Sequence, residues 1–314
     1  MVRLLGLEPV SAPPHAFVLR PDALLYGGFE ASPDGFAFEV FRQVVLPEGL
    51  FVGGKLGGPA REQSALAAHV GELIGQLPEV PAKASLVVPD DWLRLAFTEL
   101  AELPARPEQR DEILRWKLKR LVPYRVEDLR LSAIEVTPLD DQDEELRIVL
   151  GFAGEMLMRQ LEDAFESHGV VLGAITNHTL ATLSSLKTVL EPGVLGCLVA
   201  VGPTAYTISF ALDDEPRLYR FKNVADSGVF ADAVARDLRL TASFIDRYFG
   251  ARARRAFLVA PAEVEPAWLG WMADELGVDP EPLRSDALPL TRGRREVDPL
   301  DLAPLLGAAS LEVA

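Results

Sequence analysis

At 314 residues, with 49% of side chains apolar and 8% aromatic, the chain is long enough for two modest domains or one bilobed unit and can bury a real core. Its formal net charge of -16 excludes general nucleic-acid binding, which needs a broad face of clustered Lys and Arg, so any basic function must be local. The single cysteine, Cys197, sits in the apolar run LGCLVAVG, which excludes a disulfide framework, reads as a small buried residue and points to a reducing compartment.

Short apolar runs with strand character alternate with amphipathic helical ones, the pattern of an α/β protein. HAFVLR, DALLYGGFE and GFAFEVFRQVVL, bounded by Pro and Gly, predict a meander of strands within residues 1–60. PAREQSALAAHVGELIGQL predicts a helix that stops before Pro78. KASLVVPDDWLRLAFTEL reads as a strand, a turn at Pro89-Asp90-Asp91 and a second strand. A helix opens near Pro107, where proline suits the first turn and Glu108, Asp111 and Glu112 suit the positive end of the helix dipole. It closes at Val122, because Pro123 disfavours helical geometry in the residue before it.

Leu114, Leu118, Leu121 and Val122 make the apolar stripe of that helix, and Trp116 projects to roughly the opposite side among Arg115, Lys117, Lys119 and Arg120. From Arg106 to Arg125 there are seven Arg or Lys against three Asp or Glu, a local +4 in a chain of -16. Two readings stand side by side: a solvated charged face with Trp116 covered by a neighbouring strand or loop, and the border of a partner-binding groove.

Next come an extended LRLSAIEVTPL, the acidic turn DDQDEE and a strand LRIVLGFA. The helix GEMLMRQLEDAFESHG turns Leu157, Leu161, Ala164 and Phe165 inward and has Gly169 as a left-handed cap. VVLGAI predicts a strand and HTLATLSSLKTVL a helix with Asn177 as its N-cap. A new unit begins near Glu191-Pro192-Gly193 with strands GCLVAVG, AYTISFAL and RLYRFK, the second placing Tyr206, Ile208 and Phe210 on one face. A long helix from about Val229 to Phe249 keeps Val234, Leu238, Thr241, Ile245 and Tyr248 on one side, and a strand RAFLVA and a helix PAWLGWMADELG follow.

Enzymatic constellations are thin. His15, His69, His168 and His178 lack zinc-ligand spacing, and GGKLGGP lacks the Gly-Lys-Ser/Thr order of a phosphate loop. The acidic cluster Asp140 to Glu145 has no calcium-loop pattern and reads as a solvated turn, while Arg252 to Arg255 complement the negative end of the long helix. No apolar run reaches the length of about 18 residues that spans a bilayer, and the N-terminus lacks a signal-peptide pattern. The expectation is a cytosolic protein that inserts in no membrane, which leaves open docking on a membrane-embedded partner.

In the second half, the order three strands, helix, strand, helix joins particular residues that carry a family resemblance. Glu102-Leu103-Pro104, then Ile113-Leu114-Arg115-Trp116 and Leu121-Val122-Pro123-Tyr124, resemble the helix ending in a Pro-aromatic pair of the PilM proteins of type IV pilus assembly. More distantly, the chain is similar to the cytoplasmic part of GspL in type II secretion. VVLPEGLFVGGKL, SHGVVLGAITNHTLATL, VARDLRLTASFIDRYF and LAPLLGAAS (Leu302 to Ser310) resemble further segments of the same family in the same order, so the resemblance covers nearly the whole chain. It implies an α/β, actin-like (ribonuclease H-like) bilobed fold with a small α/β subdomain inserted in the first half. Residues 1–82 and 174–192 would form the first lobe, 83–173 the insertion and 193–314 the second lobe.

The departures from that pattern bear on function. Actin-like ATPases hold nucleotide on two strand-turn-strand phosphate loops, each with an Asp near its turn, and on a Gly-Gly turn at adenosine. Small residues let phosphate approach the backbone, and carboxylates organise hydrated Mg²⁺. RLLGLEPVSAPPHAFVL has no Asp-x-Gly; Glu8 is the one substitute carboxylate, and Pro9, Pro13 and Pro14 break the expected hairpin. In LVAVGPTAYTISF, Ala200 stands at the Asp position and only Gly202 and Thr204 keep phosphate-loop character. Ala260-Pro261 replaces Gly-Gly.

The resemblance and its departures together imply a scaffold without ATPase chemistry, cofactor or metal. The alternative is a nucleotide-binding ATPase, with ATP and Mg²⁺ near Gly202 and Thr204, regulating the same assembly; a generic enzyme would need a polar cluster the sequence does not advertise. The implied partners are the cytoplasmic tail of a single-pass PilN-like inner-membrane protein and further copies of the chain in a ring. The expected binding residues are Arg115, Trp116, Lys119, Arg120 and Tyr124, and the expected location is the cytoplasmic side of the inner membrane, through that partner.

Overall fold

A computed structural model describes residues 3–4, 10–11, 13–32, 35–54, 56–137, 145–187, 189–224, 230–293 and 297–313. Glu8, Pro9 and most of the acidic turn therefore lie outside the described residues. Two short strands, β1 (Arg3–Leu4) and β2 (Val10–Ser11), precede the predicted meander, which is β3 (His15–Leu19), β4 (Ala23–Ser32) and β5 (Gly35–Val45), paired antiparallel in sequence order. Helix α1 (Gln63–Ile74) crosses to β6 (Lys83–Val88), which lies parallel to β3.

The insertion follows as β7 (Leu93–Leu100), α2 (Pro107–Lys119), β8 (Leu129–Val136) and β9 (Leu146–Gly154), with β1 on its margin, in the sheet order β1-β8-β9-β7. Leu114 and Leu118 of α2 pack on Ile148, Leu150 and Phe152 of that sheet. Helix α2 ends at Lys119, one turn earlier than Pro123 alone predicts, so Leu121 leaves the apolar stripe and is 51% exposed.

Helix α3 (Glu155–Glu166) returns the chain to β10 (Val171–Asn177), parallel to β6, and then to α4 (His178–Ser185), whose N-cap is Asn177 as expected. The second lobe is the sheet β13-β12-β11-β14-β15, built from β11 (Gly196–Val201), β12 (Ala205–Leu212), β13 (Glu215–Asn223), β14 (Arg255–Val259) and β15 (Pro280–Pro282), with helices α5 (Phe230–Phe249) and α6 (Glu265–Leu276). Cys197, Ile208 and Phe210 meet Val234, Leu238, Ile245, Trp268 and Met272 in its core. Cys197 is buried, and burial pushes its thiol pKa up, which keeps it an unreactive packing residue. Tyr248 departs from the expected inward side of α5 and is 49% exposed.

The last segment goes back across the molecule. β16 (Leu290–Gly293) pairs parallel with β5, and α7 (Pro299–Ala309) packs against α4, β3, β4 and β6; β17 (Glu312–Val313) pairs with β2. Strand pairing thus draws the limits of the three units differently from the expected 83–173 and 193–314. Residues 83–88 belong to the first lobe's sheet, β10-β6-β3-β4-β5-β16, and α3 packs in that lobe's core. The insertion's own elements run from β7 to β9, while β16 and α7 complete the first lobe.

That sheet is covered on both faces, which explains its continuous apolar runs. Phe17, Leu19, Leu24 and Tyr26 face α1 and α3, whereas Ala16, Val18, Ala23 and Leu25 face α7.

Candidate functional site

The parallel strands β3, β6 and β10 end side by side at Leu19, Val88 and Asn177, facing the second lobe. In an open α/β sheet the crevice beyond such carboxyl ends is the usual ligand position. Here it is occupied by the chain's own side chains. The Asp90 carboxylate accepts from the Thr179 backbone N–H at 3.0 Å, from Thr179 Oγ1 at 2.7 Å and, across the lobes, from Thr207 Oγ1 at 2.9 Å. Beside it, Asn177 Oδ1 caps α4 through the Leu180 N–H, while its Nδ2 donates to the Leu93 carbonyl and the Tyr219 hydroxyl at 2.9 and 3.0 Å.

Asn177 and Thr179 come from the first lobe, Leu93 opens the insertion, and Thr207 and Tyr219 stand on β12 and β13 of the second lobe, so one hydrogen-bonded clasp joins all three units. Asn177, Thr179 and Thr207 are buried, and burial pushes the Tyr219 hydroxyl well above its ordinary pKa.

His178 lies in the same crevice and hydrogen-bonds the Leu19 backbone. Burial holds its pKa below the ordinary value, against the opposing pull of Asp90 and Asp301. Burial raises Asp301, while Arg20 beside it pulls the other way.

The hairpin that opens the first lobe is β3–β4, with its turn at Arg20-Pro21-Asp22, just downstream of RLLGLEPVSAPPHAFVL, where the resemblance places the first phosphate loop. Pro13 and Pro14, expected to break the hairpin, precede β3 and leave it intact, and Pro21 sits in its turn. Arg20 grips Asp22 through Nε and Nη2 at 3.1 and 3.0 Å and Asp301 through Nη1 at 2.9 Å. The hydrogen bonds from Arg20 hold Asp22 below the usual carboxylate range. The second turn, Gly202-Pro203-Thr204, is exposed and closed by the Gly202 N–H on the Ala205 carbonyl at 2.8 Å. At the third, the Pro261 carbonyl takes the Val264 and Glu265 N–H groups and starts α6.

These turns differ from the phosphate loops that the resemblance implies. A bulky Arg and a Pro without an N–H replace the small residues of a phosphate cradle, the carboxylate of that turn is already paired, and Ala200 offers none at the second turn. Among the described residues, no group of three or more His, Cys, Asp or Glu is arranged to hold a metal ion.

A separate apolar groove of about 250 Å³ runs between the insertion and the first lobe, with Leu93, Ile134 and Val149 on one wall and Ile175, Leu180 and Leu183 on the other. Lys187 and Asp214, paired at 3.2 Å, border it.

The structure divides the five expected partner-binding residues. Trp116 is 52% exposed with the Arg120 guanidinium 4.7 Å from its ring, and Lys119 is exposed beside them. Arg115 instead pairs with Asp111 at 2.7 Å and donates to the Val126 and Leu129 carbonyls, tying α2 to β8. Tyr124 accepts from Arg94 at 3.0 Å and packs near Phe152. These last two are internal struts of the insertion. The clasp joins residues far apart in the sequence, where only the Pro89-Asp90-Asp91 turn and the Asn177 cap mark two of its corners.

The two lobes, each a sheet flanked by helices, and the insertion after β6 define an actin-like α/β fold. Among solved structures, the chain is similar to a PilM–PilN type IV pilus biogenesis complex, with a TM-score of 0.74 over 96% of this chain and 98% of that one at 18% identity. A Bacteroides thetaiotaomicron protein with an actin-like ATPase fold follows at TM-score 0.50 and 8% identity, over 93% and 94% of the two chains. The cytoplasmic domain of EpsL, an inner membrane component of the type II secretion system of Vibrio cholerae, gives 0.47 and 11% over 79% and 82%. The resemblance to PilM read from the sequence therefore holds at the level of the fold. No family model matches the chain, and no curated protein matches it. Among the described residues no helix is long and apolar enough to cross a membrane.

Proposed function

We propose that the chain is a non-catalytic scaffold of a type IV pilus or type II secretion-like assembly platform, held at the cytoplasmic face of the inner membrane by the cytoplasmic tail of a single-pass PilN-like protein. The clasp carries the non-catalytic half of this reading. The Asp90 carboxylate is taken up by Thr179 and, across the lobes, by Thr207, and the Arg20–Asp22 turn is closed on itself, which supports a cleft that does not open for phosphate.

The partner half rests on the likeness to a PilM–PilN complex and on the apolar groove beside α4, whose walls suit the alternating anchors of an extended tail. The exposed Trp116, Lys119 and Arg120 face is assigned to contact with the tail's flank or a neighbouring copy in a ring.

The test is calorimetry with a synthetic PilN-like tail and, separately, with Mg-ATP. Micromolar tail binding, about -8 kcal/mol, is expected, with at least a tenfold loss in the groove variant Leu183→Glu and no heat from Mg-ATP at affinities of about 100 μM. Tail binding that ignores the groove and the Trp116→Ala and Arg120→Glu variants would overturn the partner assignment. Tight Mg²⁺-dependent ATP binding would restore the ATPase reading around Gly202 and Thr204.

A further inference from the structure

Helix α5 turns one face into the core of the second lobe and leaves the other to solvent. Val234, Leu238 and Ile245 are buried, while Leu240, Phe244 and Tyr248 are 51%, 44% and 49% exposed. The three exposed side chains follow one another at i, i+4 and i+8, an apolar stripe about 12 Å long on the outward side of the helix. An exposed row of large apolar side chains rimmed by polar ones marks a contact surface.

The stripe is held rigid from one end. The Tyr248 hydroxyl donates to the Glu99 carboxylate of the insertion, and its ring lies 4.6 Å from the Arg147 guanidinium. Phe244 stacks on that ring with centroids 5.1 Å apart. Tyr248 is therefore committed to the insertion, and Phe244 is an ordered anchor that loses little freedom when a partner covers it.

Charge decides what lies on the stripe. Arg236 and Arg247, four residues before Leu240 and three after Phe244, stand exposed along one side of it, and neither makes an ion pair among the described residues. They are separated by about 16 Å along the helix. Around them the charges cancel: Arg239 holds Glu275 at 2.6 Å and Arg252 holds Asp246 at 3.1 Å. A second copy of the chain on a two-fold axis would lay α5 antiparallel on α5 and set each Arg236 against an Arg247, a like-charge contact that opposes the pairing. A plane of anionic headgroups would find only two cations in single file, exposed Asp232 beside them and a net charge of -16 behind. A rod with an apolar row and carboxylates along one side meets both the stripe and the arginines.

We propose that the outer face of α5 takes an acidic amphipathic helix of a partner protein, laid along the stripe with apolar side chains on Leu240 and Phe244 and carboxylates at Arg236 and Arg247. The proposal stands independently of the tail groove and of the Trp116 face.

It is tested by panning, on the full chain, a phage library that displays a single helix of about 20 residues with one face randomised. The expected winners carry an apolar row with Asp or Glu about three turns apart along one side. They should bind at least tenfold more weakly to Phe244→Ala, Leu240→Ser, Arg236→Glu and Arg247→Glu. All four residues are exposed, so the variants keep the fold, which far-UV circular dichroism checks. Arg236→Glu should regain binding to a winner whose facing carboxylate is replaced by Lys, a rescue that a damaged surface does not give. Failure to enrich any helix, affinities unmoved by the variants, or absence of the rescue would each overturn the proposal. So would sedimentation with phosphatidylglycerol vesicles, or self-association of the chain, that is lost in Phe244→Ala and Arg236→Glu, since lipid or a second copy would then hold this face. Full binding in Leu183→Glu and Trp116→Ala separates it from the surfaces assigned to the tail.

Discussion

The hydrogen bond between Asp90 and Thr207 is, with that between Asn177 and Tyr219, a direct link between the lobes, and its removal has a calculable cost. Thr207 is 1% exposed and its hydroxyl has the Asp90 carboxylate 2.9 Å away; Thr179, which supplies the other two donors, is fully buried. A hydrogen bond to a charged group contributes about 1.5–3 kcal/mol, and Thr207→Val deletes one such bond while leaving Asp90 its two Thr179 donors. The expected loss is therefore about 1.5 kcal/mol. Asp90→Ala strands a backbone N–H and two hydroxyls, for about 3–5 kcal/mol.

Because both changes remove the same bond, the double variant should be more stable than the sum of the singles by about 1–2 kcal/mol. Urea unfolding followed by tryptophan fluorescence reads this, since Trp92 is buried two residues from Asp90 and Trp268 is buried in the second lobe. A coupling below about 0.3 kcal/mol, within ordinary additivity, would show that the lobes are not held at this bond and would remove the physical basis for a cleft that stays shut.

Stability should also depend on pH through His178. Its folded pKa lies below the ordinary value near 6.5, so the unfolded chain binds the proton more readily; stability is complete above about 6.5 and drains as pH falls below it. Urea midpoints between about pH 7.5 and 5 should fall accordingly, and His178→Gln should flatten that limb; an unchanged slope refutes the assignment. Gly307→Ala tests the α4–α7 contact, where an added methyl would sit 1.6 Å from the Ala181 carbonyl oxygen, so backbone must move. A loss of at least about 3 kcal/mol is expected, read as a drop in thermal midpoint; a near-neutral result would show that α7 can slide along α4.

Elements were legible in the sequence where the signal is local. The stripe Leu157, Leu161, Ala164 and Phe165 is wholly buried, and Asn177 caps α4 as its position before the helix predicts. Membership of a lobe is not local. β6, β16 and α7 look like ordinary strands and a helix from their own residues, and only their pairing with β3, β5 and the helices beside them decides where they belong. The clasp was hidden for the same reason: Asp90 meets Thr179 across 89 positions and Thr207 across 117. Turn chemistry accounts for Asp90 at Pro89-Asp90-Asp91 without reference to either. Arg115 and Tyr124 carried the resemblance to a partner-binding helix, yet their hydrogen bonds point inward, a direction that helical spacing leaves open.

The return of α7 to the first lobe sets the order in which the chain can mature. Leu302, Leu305 and Leu306 fill the face of β3 and β4 that β3, β4 and β5 cannot cover for themselves. The lobe that emerges first from the ribosome must therefore wait, with Ala16, Val18 and Leu25 uncovered, until residues 299–309 have been made. The second lobe has its strands and both packing helices by residue 282 and can close before that. Synthesis runs from first lobe to second, folding from second to first, and the aggregation-prone interval is the one between them.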